Sequence, residues 1–459
     1  MASPLADRLR GIVHGTRPAA VPAVSLEAAA ASSLPTPDSR LPAAASYLGG
    51  TLTERAEGAV ILVDREYPGH SLHGRLPIRD IVDTIRDCAA ACATMSRVWP
   101  SSAGIGGGNP SGLPSLLFLD LETTGLAGGA GTQAFLVGCA MLEGSSIHVR
   151  QFLMPGFADE RALLADVAAF AGQHGALVTF NGRTFDVPLI ETRYLFHRVR
   201  FPLEDLPHLD MLHAARRLWR ARPSVAGPDP DGGSCSLSVL EKHLSGLHRV
   251  GDVPGFEIPA RYFQFVRDGD ARPLEAVLEH NRLDLVSTAA VMARAITLID
   301  RGPSAASTPQ ECLGLARLYD RAGAAADAEG ALLHTIQLAA TVGTEPEVQG
   351  EALRRLAWLR RRAGRAGEAA EAWQQLAQLP RCPGALRREA REALAIYHEH
   401  RSRDLGTARA LVLDVLREDD GGRHRAAVEH RLRRLERKLA VREQGGLVAA
   451  LDDSLDTER

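Results

Sequence analysis

The sequence has few cysteines, almost no lysine and no long apolar segment. Its six cysteines lack the paired spacing of a zinc or disulfide framework, which excludes both as the basis of the fold. Cys88 and Cys92, four residues apart, are better explained as thiols in a helix core. No stretch approaches the roughly 20 apolar residues of a membrane span, so no membrane partner is expected. These features favour a reducing, cytoplasmic environment.

The net charge is small as well. At −3 at pH 7, it provides no general positive field that would attract nucleic acid, so any substrate groove must be local. Lys242 and Lys438 are the only lysines, against 51 arginines, which indicates the coding composition of the genome rather than a need for guanidinium groups. With 459 residues, 45% of them apolar, the chain is long enough for two or three domains with ample cores.

The segment FLDLETTGL contains the most informative acidic pair, Asp120 and Glu122. Residues 116–119 form an apolar run too short for a helix, which predicts a buried strand ending at Asp120, followed by a turn at residues 123–125. Side chains two apart on a strand share one face, about 7 Å apart. Asp120 and Glu122 could therefore hold one metal ion or a close pair, although a solvated acidic pair at a strand end would have the same pattern.

A second acidic residue of interest is Asp186, in TFNGRTFD. The apolar run at residues 176–180 predicts another strand, and Asn181 with Gly182 predicts the turn that ends it. Apolar residues then recur at helical spacing, which places Asp186 at or near a helix N-terminus. Negative charge is favoured there by the helix dipole and free amides. That preference alone would also explain an aspartate without any chemical role.

The third pattern, EHNRLDLVS, lies in a helix predicted over residues 274–300. His280 and Asp284 are four residues apart, so their side chains leave the same face one turn from each other. Asp284 could bind metal while His280, with an ordinary pKa near neutrality, accepts a proton from a nucleophilic water. A surface ion pair or a hydrogen bond within the helix would produce the same spacing.

The order D-x-E, N-x-x-x-F-D and H-N-x-x-D resembles the DEDD superfamily of 3′ to 5′ exonucleases, whose domain has the ribonuclease H-like fold. More narrowly, ETTGL, the glycine-rich GAGT with Gly138 beyond it, LDMLHAARRLW, DVPGF and HNRLD look like the YprB-type ribonuclease H-like family. The likeness covers roughly residues 115–300. It implies an α/β domain with a mixed sheet and flanking helices.

The resemblance also implies roles for individual residues. The carboxylates that would hold two Mg²⁺ or Mn²⁺ ions through hard oxygen ligands are Asp120, Glu122, Asp186 and Asp284. His280 would be the general base, although it stands four residues before the last aspartate, where the tyrosine branch of the superfamily has its base; the histidine branch has a spacing of five. The candidate substrate-binding residues are Thr123, Thr124, Gly125, Leu126, Asn181 and Phe185.

Other segments complete the predicted domain. Short runs at residues 134–142 and 147–153 predict a hairpin, and residues 159–174 predict a helix, an order typical of a mixed sheet with helices on it. Asp210 precedes a further helix and is either its cap or a fifth acid. His70 and His73 have no companion ligands nearby, so a structural loop is favoured over a metal site.

Beyond residue 302 the sequence is helical and repetitive. Segments that begin at Ala316, Ala357 and Ala395 align at spacings of 41 and 38, which resembles tetratricopeptide helix pairs, although the usual period is 34. Three such pairs would stack into an all-α solenoid. Residues 351–440 contain 20 Arg and one Lys against 13 acidic residues. This excess could contact nucleic acid, but a protein partner or plain domain packing is favoured.

The sequence thus predicts five segments. They are a disordered Ala/Pro-rich leader (1–45), an N-terminal extension and linker (46–112), a ribonuclease H-like exonuclease domain (113–302), tetratricopeptide-like repeats (308–440) and a flexible tail (441–459). The leading functional hypothesis is a metal-dependent 3′ to 5′ exonuclease acting on DNA or RNA. The alternatives are a non-catalytic module that binds nucleic acid or protein, and a structure-selective endonuclease, since this fold carries several chemistries.

Overall fold

The computed structural model describes residues 40–87, 114–125, 131–219, 235–343, 346–418 and 423–456. Cys88, Cys92, Leu126 and most of the predicted leader lie outside these ranges. The strands are β1 (Thr51–Arg55), β2 (Gly58–Tyr67), β3 (Leu72–His73), β4 (Leu76–Pro77), β5 (Leu116–Thr123), β6 (Ala134–Glu143), β7 (Ser146–Leu153), β8 (Ala176–Thr179) and β9 (His208–Asp210).

Seven of these strands form one mixed sheet in the order β1-β2-β7-β6-β5-β8-β9. The first five strands in this order, β1-β2-β7-β6-β5, pair antiparallel with their neighbours. The last three, β5-β8-β9, are parallel. The predicted ribonuclease H-like mixed sheet is confirmed. The β1-β2 hairpin comes from the segment predicted as an extension, yet it pairs with β7 from Ile61↔Leu153 to Tyr67↔Ile147 and lengthens the same sheet.

Helices cover both faces of this sheet. Those of the N-terminal part are α1 (Arg40–Tyr47), α2 (Ile78–Arg86), α3 (Glu160–Ala171), α4 (Asp186–Phe196), α5 (Met211–Leu218), α6 (Leu237–Leu244), α7 (Ile258–Asp268) and α8 (Arg272–Arg301). Along β5, Leu116 and Phe118 belong to one apolar core while Leu117 and Leu119 belong to the other. A strand buried on both faces needs a continuous apolar run, which is why residues 116–119 lack polar residues.

The C-terminal part is wholly helical where it is described. It comprises α9 (Pro309–Arg321), α10 (Ala325–Val342), α11 (Pro346–Arg362), α12 (Ala366–Gln378), α13 (Gly384–Tyr397), α14 (Leu405–Arg417) and α15 (Arg423–Asp456). The first six form three successive pairs, with left-handed glycines Gly323 (φ 77°) and Gly364 (φ 78°) in the predicted turns. The predicted helical solenoid is confirmed. The assignment of its helix pairs to the tetratricopeptide repeat family stays a prediction. None of the described helices has the length and apolar character needed to cross a membrane.

Helix α15 includes most of the segment predicted as a flexible tail from residue 441. Its backbone is helical as far as Asp456. Apart from Gly445 and Gly446, the segment consists mainly of residues with good helix propensity, and it contains no proline.

The helical region packs on the sheet domain through α9. A side chain at Gly314 would overlap the main chain of α5, because an added Cβ would lie 2.4 Å from the Leu218 carbonyl oxygen. Buried Glu311 accepts hydrogen bonds from Trp219 Nε1 (2.9 Å) and Arg294 Nη2 (2.7 Å). Close backbone packing and a buried charge therefore join the two regions.

His73 lies in the small β3-β4 sheet and is a structural histidine. Its side chain is buried, and Nε2 lies 2.8 Å from Ser287 Oγ on α8. Burial, followed by the positive charge of Arg249, lowers the pKa of His73 to about 4. His70, in contrast, is exposed.

The low pKa of His73 predicts that acid weakens the fold. Between pH 6.5 and 4 the unfolded chain binds a proton at this residue and the folded chain does not, so stability declines as pH falls through that window, by up to about 3 kcal/mol. We expect His73→Gln to flatten the slope of unfolding free energy against pH in urea titrations. His70→Gln, an exposed neighbour, should leave the slope unchanged, and equal slopes in all three proteins would contradict the prediction.

Candidate active site

Asp120 and Glu122 lie inside β5, which continues to Thr123 instead of ending at Asp120 as the sequence predicted. The strand continues because β6 keeps pairing with it, at Asp120↔Gly138 and Glu122↔Leu136, before the register shifts between Glu122 and Thr123. The alternation of the strand places both carboxylates on the same face, as predicted. Glu122 is only 9% exposed. Two acidic side chains are thus enclosed on one face of the central strand.

Asp120 is held by Asn281, a buried residue on α8. Asn281 Nδ2 donates to Asp120 Oδ2 at 2.8 Å, and Asn281 Oδ1 accepts a hydrogen bond from Gln151 Nε2 at 2.8 Å. Gly138 makes this contact possible, because a Cβ there would lie 2.1 Å from Asn281 Oδ1. The glycine, the amide and the aspartate therefore form one packed unit that links β5, β6 and α8.

Asp186 is the first residue of α4, in agreement with its predicted place at a helix N-terminus. The loop before it is tied to Asp210, which ends the three-residue strand β9 that the sequence pattern did not indicate. Asp210 Oδ1 accepts from the backbone N–H groups of Leu212 (3.0 Å) and Asn181 (2.7 Å), and Oδ2 accepts from that of Arg183 (3.1 Å). Asp210 is the predicted helix cap, and it also fixes the loop that carries Asp186.

Helix α8 presents His280 and Asp284 one turn apart, with His280 Nε2 3.8 Å from Asp284 Oδ2. The other ring nitrogen, Nδ1, lies 2.7 Å from Asp252 Oδ1. Arg249 forms the centre of this group: its side chain is 8% exposed and pairs with both Asp284 and buried Glu241. Arg249 Nη1 also lies 3.4 Å from Asp252 Oδ2.

Burial and neighbouring negative charges raise the pKa of three of these acidic side chains. Burial, then the negative charges of Asp284, Glu122 and Asp186, hold the pKa of Asp120 well above its usual range. Burial followed by Asp284 and Asp186 does the same for Glu122. The pKa of Asp186 is raised to about 7, by burial first and then by Asp210 and Asp284. The four predicted carboxylates thus share one electrostatic environment.

The donor set suits a divalent cation in its chemistry, since carboxylate oxygens are the ligands that Mg²⁺ and Mn²⁺ prefer. Among the described residues, Asp120, Glu122 and Asp186 form no ion pair with Lys, Arg or His, so a cation would relieve their mutual repulsion. Asp284 pairs with Arg249 instead. Within the described ranges, no three His, Cys, Asp or Glu side chains are arranged to hold a single metal ion.

The predicted substrate-binding residues flank these carboxylates in sequence. Thr123 Oγ1 donates to the Gly125 carbonyl at 2.8 Å, and Thr124 Oγ1 accepts from Gln133 N at 2.9 Å, so both hydroxyls are engaged within the loop. Asn181 has a left-handed backbone (φ 68°) and is partly exposed, and Phe185, beside Asp186, is 60% exposed. Leu126 lies outside the described residues.

Four residues of this region were not among the predicted site residues: Glu241, Arg249, Asp252 and Asn281. Asp252 and Asn281 belong to DVPGF and HNRLD, so the motifs that carry the family resemblance contained a signal for them. Arg249 and Glu241 belong to no such motif, and only the fold brings them to Asp284.

Comparisons with known proteins agree with the fold. Residues 117–296 match the RNase_H_2 family model of the RNase H superfamily. The chain is 38% identical over 174 residues to the uncharacterized protein YprB of Bacillus subtilis (strain 168), a match that covers 38% of this chain and 40% of YprB. The structure of the family B DNA polymerase of the hyperthermophilic archaeon Pyrobaculum calidifontis aligns over 60% of this chain and 43% of the polymerase chain, at 13% sequence identity. The TM-score of 0.31 is too low to support an argument. Residues 117–296 therefore form an RNase H-like domain similar to part of YprB.

Proposed function

We propose that this protein is a metal-dependent nuclease that shortens DNA or RNA from a 3′ end. The observation that carries the proposal is the group of enclosed carboxylates. Asp120, Glu122 and Asp186 come from two separate segments, burial and neighbouring carboxylates raise the pKa of each, and none of them forms an ion pair with a cationic side chain among the described residues. Uncompensated charges are costly to enclose, so such a group is typical of a site that binds cations. The 3′ polarity is supported by the motif resemblance alone.

Asp120, Glu122, Asp186 and Asp284 would hold Mg²⁺ or Mn²⁺ ions, two by analogy with the DEDD superfamily. Bound there, the ions would activate the attacking water and neutralise the charge that builds on the phosphate. Asn281 would keep the Asp120 carboxylate oriented through its 2.8 Å hydrogen bond. Asp210 would keep the loop before Asp186 in place through its three backbone hydrogen bonds.

His280 would accept the proton of the attacking water. An ionised Asp252 can only accept hydrogen bonds, so the 2.7 Å contact favours the tautomer with hydrogen on Nδ1. The lone pair then belongs to Nε2, the ring nitrogen that faces Asp284. This arrangement supports His280 as the base despite the four-residue spacing.

The terminal nucleotide would lie against the end of β5 and the start of α4. Because the hydroxyls of Thr123 and Thr124 are engaged within the protein, the backbone of residues 123–125 would make the contact. The exposed ring of Phe185 offers a surface on which a base can stack, an interaction typical of single-strand binding.

A non-catalytic binding module is the second candidate. It is favoured by one contact, the pairing of Arg249 with Asp284, because this guanidinium neutralises a predicted metal ligand without any metal. Such a module would bind strands without cleaving them.

These alternatives can be separated with 5′-labelled single- and double-stranded DNA and RNA, in Mg²⁺ or Mn²⁺, beside a circular single strand. A 3′ exonuclease should produce a descending series of 5′-labelled products and leave the circle intact. Linearised circles would indicate an endonuclease instead. Binding without any cleavage in either metal would support the non-catalytic module and refute the proposed activity.

A further inference from the structure

A basic pocket lies between α15 and the turn that joins α13 to α14. It is a cavity of about 540 Å³, and the charged residues lining it are Glu399, Arg403, Arg434, Arg437 and Lys438. Leu405 and Val441 add apolar surface to the same wall. Four cationic side chains thus face a space that contains a single carboxylate.

That carboxylate is already satisfied. The Glu399 side chain is fully buried and accepts from Arg431 Nη1 (2.9 Å), Arg434 Nη2 (2.8 Å) and Lys438 Nζ (2.8 Å). Three cations around one carboxylate anchor α15 to the preceding turn, and they leave an excess of positive charge. Glu399 is therefore neutralised without Arg403 and Arg437.

Arg403 and Arg437 have no such structural task. Both side chains are exposed, and within the described ranges neither forms an ion pair with an acidic residue. They line the pocket without contacting Glu399, in a chain whose overall net charge is −3. Exposed arginines that line a pocket whose single carboxylate already has three cationic partners form an attractive site for a phosphate, which guanidinium groups can bind in a bidentate manner.

We propose that this pocket binds backbone phosphates of the nucleic-acid strand, an inference that rests on the proposed nuclease function. The candidate active site is rich in carboxylates and repels a phosphate backbone. The electrostatic part of strand affinity must therefore come from another surface, and the pocket supplies it. Its apolar wall of Leu405 and Val441 suits the sugar and base of a bound nucleotide.

The test compares two double variants of the full chain. Arg403→Gln/Arg437→Gln removes the two pocket arginines that form no ion pair with a described acidic residue. Arg381→Gln/Arg417→Gln removes the same charge from two other exposed positions, one just before α13 and one at the C-terminal end of α14, where Arg417 pairs with Asp414. Binding of a fluorescent 30-nucleotide single strand is measured by anisotropy in EDTA, which prevents cleavage. Thermal unfolding checks the fold, and the pocket variant should keep the wild-type Tm because the Glu399 contacts are intact.

We expect the pocket variant to weaken strand binding about 5- to 10-fold near 0.1 M salt, and to reduce the slope of log K against log salt by about 1.4, the loss of two phosphate contacts. The control pair should change affinity less than about twofold, the effect of general charge alone. Equal losses in both variants, or none in either, would overturn the proposal. Unchanged strand binding together with lost binding to an acidic protein would assign the pocket to a protein partner.

A small substrate separates this inference from the function on which it rests. A dinucleotide has a single internucleotide phosphate, which the active site must hold for cleavage, so no further backbone phosphate is left for the pocket. The pocket variant should therefore cleave it at the wild-type rate and show a raised KM only for long strands. If the wild-type protein cleaves neither substrate while the pocket variant still loses strand affinity, the proposed function fails and the binding site stands.

Discussion

Asp120→Asn should abolish Mg²⁺-dependent strand degradation and at the same time raise the Tm of the metal-free protein. The loss of activity should be at least about 10³-fold, equivalent to roughly 4 kcal/mol in the activation barrier, because an amide is a poor substitute for an anionic ligand. The gain in stability has a separate cause. Burial and three neighbouring carboxylates raise the pKa of Asp120, so its charged form destabilises the folded state at neutral pH.

The direction of the stability change follows from the sign of that shift. A carboxyl whose pKa is higher in the folded than in the unfolded protein is penalised whenever it is ionised, and the neutral amide removes the penalty. Asn281 Nδ2 can still donate to the amide oxygen of the variant, so the 2.8 Å contact survives. We expect a gain of about 1–2 kcal/mol, or a few degrees in Tm. Mn²⁺ should raise the Tm of the wild type and have much less effect on the variant.

Glu311→Gln provides the matched control for Asp120→Asn. Glu311 is also a buried carboxylate, but it pairs with Arg294 and accepts a hydrogen bond from Trp219. Removing its charge leaves the partly buried Arg294 guanidinium without its anionic partner, so this variant should lose stability and keep its cleavage activity. A fall in Tm for Asp120→Asn similar to that of Glu311→Gln would show that Asp120 has a structural role and would count against the cation site.

The sheet and the position of its acidic residues follow from local physics. Residues 116–119 are apolar throughout because both faces of β5 are buried, and the two-residue period of a strand places Asp120 and Glu122 on one face. The Asn181–Gly182 turn and the start of α4 were equally predictable, because turn and helix-start signals act over a few residues.

The remainder depends on contacts between distant segments. Strand β9 has three residues, too few for a periodic pattern, and it exists because β8 offers it a parallel edge. The β1-β2 hairpin joins the sheet only because the edge of β7 is available. Arg249 reaches Asp284 across 35 residues of sequence, and no local pattern encodes such a pairing.

Asp252→Asn should lower kcat of the proposed nuclease about 10- to 100-fold with little change in KM, the size of effect found when the residue that orients a functional histidine is altered. Asp252 Oδ1 accepts from Val253 N (2.9 Å) and faces His280 Nδ1, while Oδ2 faces Arg249. Every neighbour of this carboxylate is thus a hydrogen-bond donor. In the variant, the amide NH₂ must face one of these donors. Where it faces His280, it donates to Nδ1, so the ring hydrogen moves to Nε2, and Nε2 can no longer accept the proton of the attacking water.

The ¹⁵N spectrum of His280, measured together with kcat, distinguishes this positioning role from simple damage to the fold. In protein labelled with ¹⁵N-histidine, the His280 ring should carry hydrogen on Nδ1 in the wild type and shift towards the Nε2 form in Asp252→Asn; the His280→Gln spectrum identifies the resonance. Asp270→Asn makes the same chemical change at an exposed aspartate that pairs with Arg272, and it should alter neither kcat nor the spectrum.

The decisive comparison is with the histidine itself. His280→Ala should lower kcat about 10²- to 10⁴-fold, the usual contribution of a general base. If Asp252 acts through His280, adding Asp252→Asn to His280→Ala should cost almost nothing more, because residues that work as a unit are not additive. A further 10-fold loss in the double variant would mean that Asp252 acts elsewhere, for example by holding Arg249 near Asp284, and that the Asp252–His280 contact does not position the base.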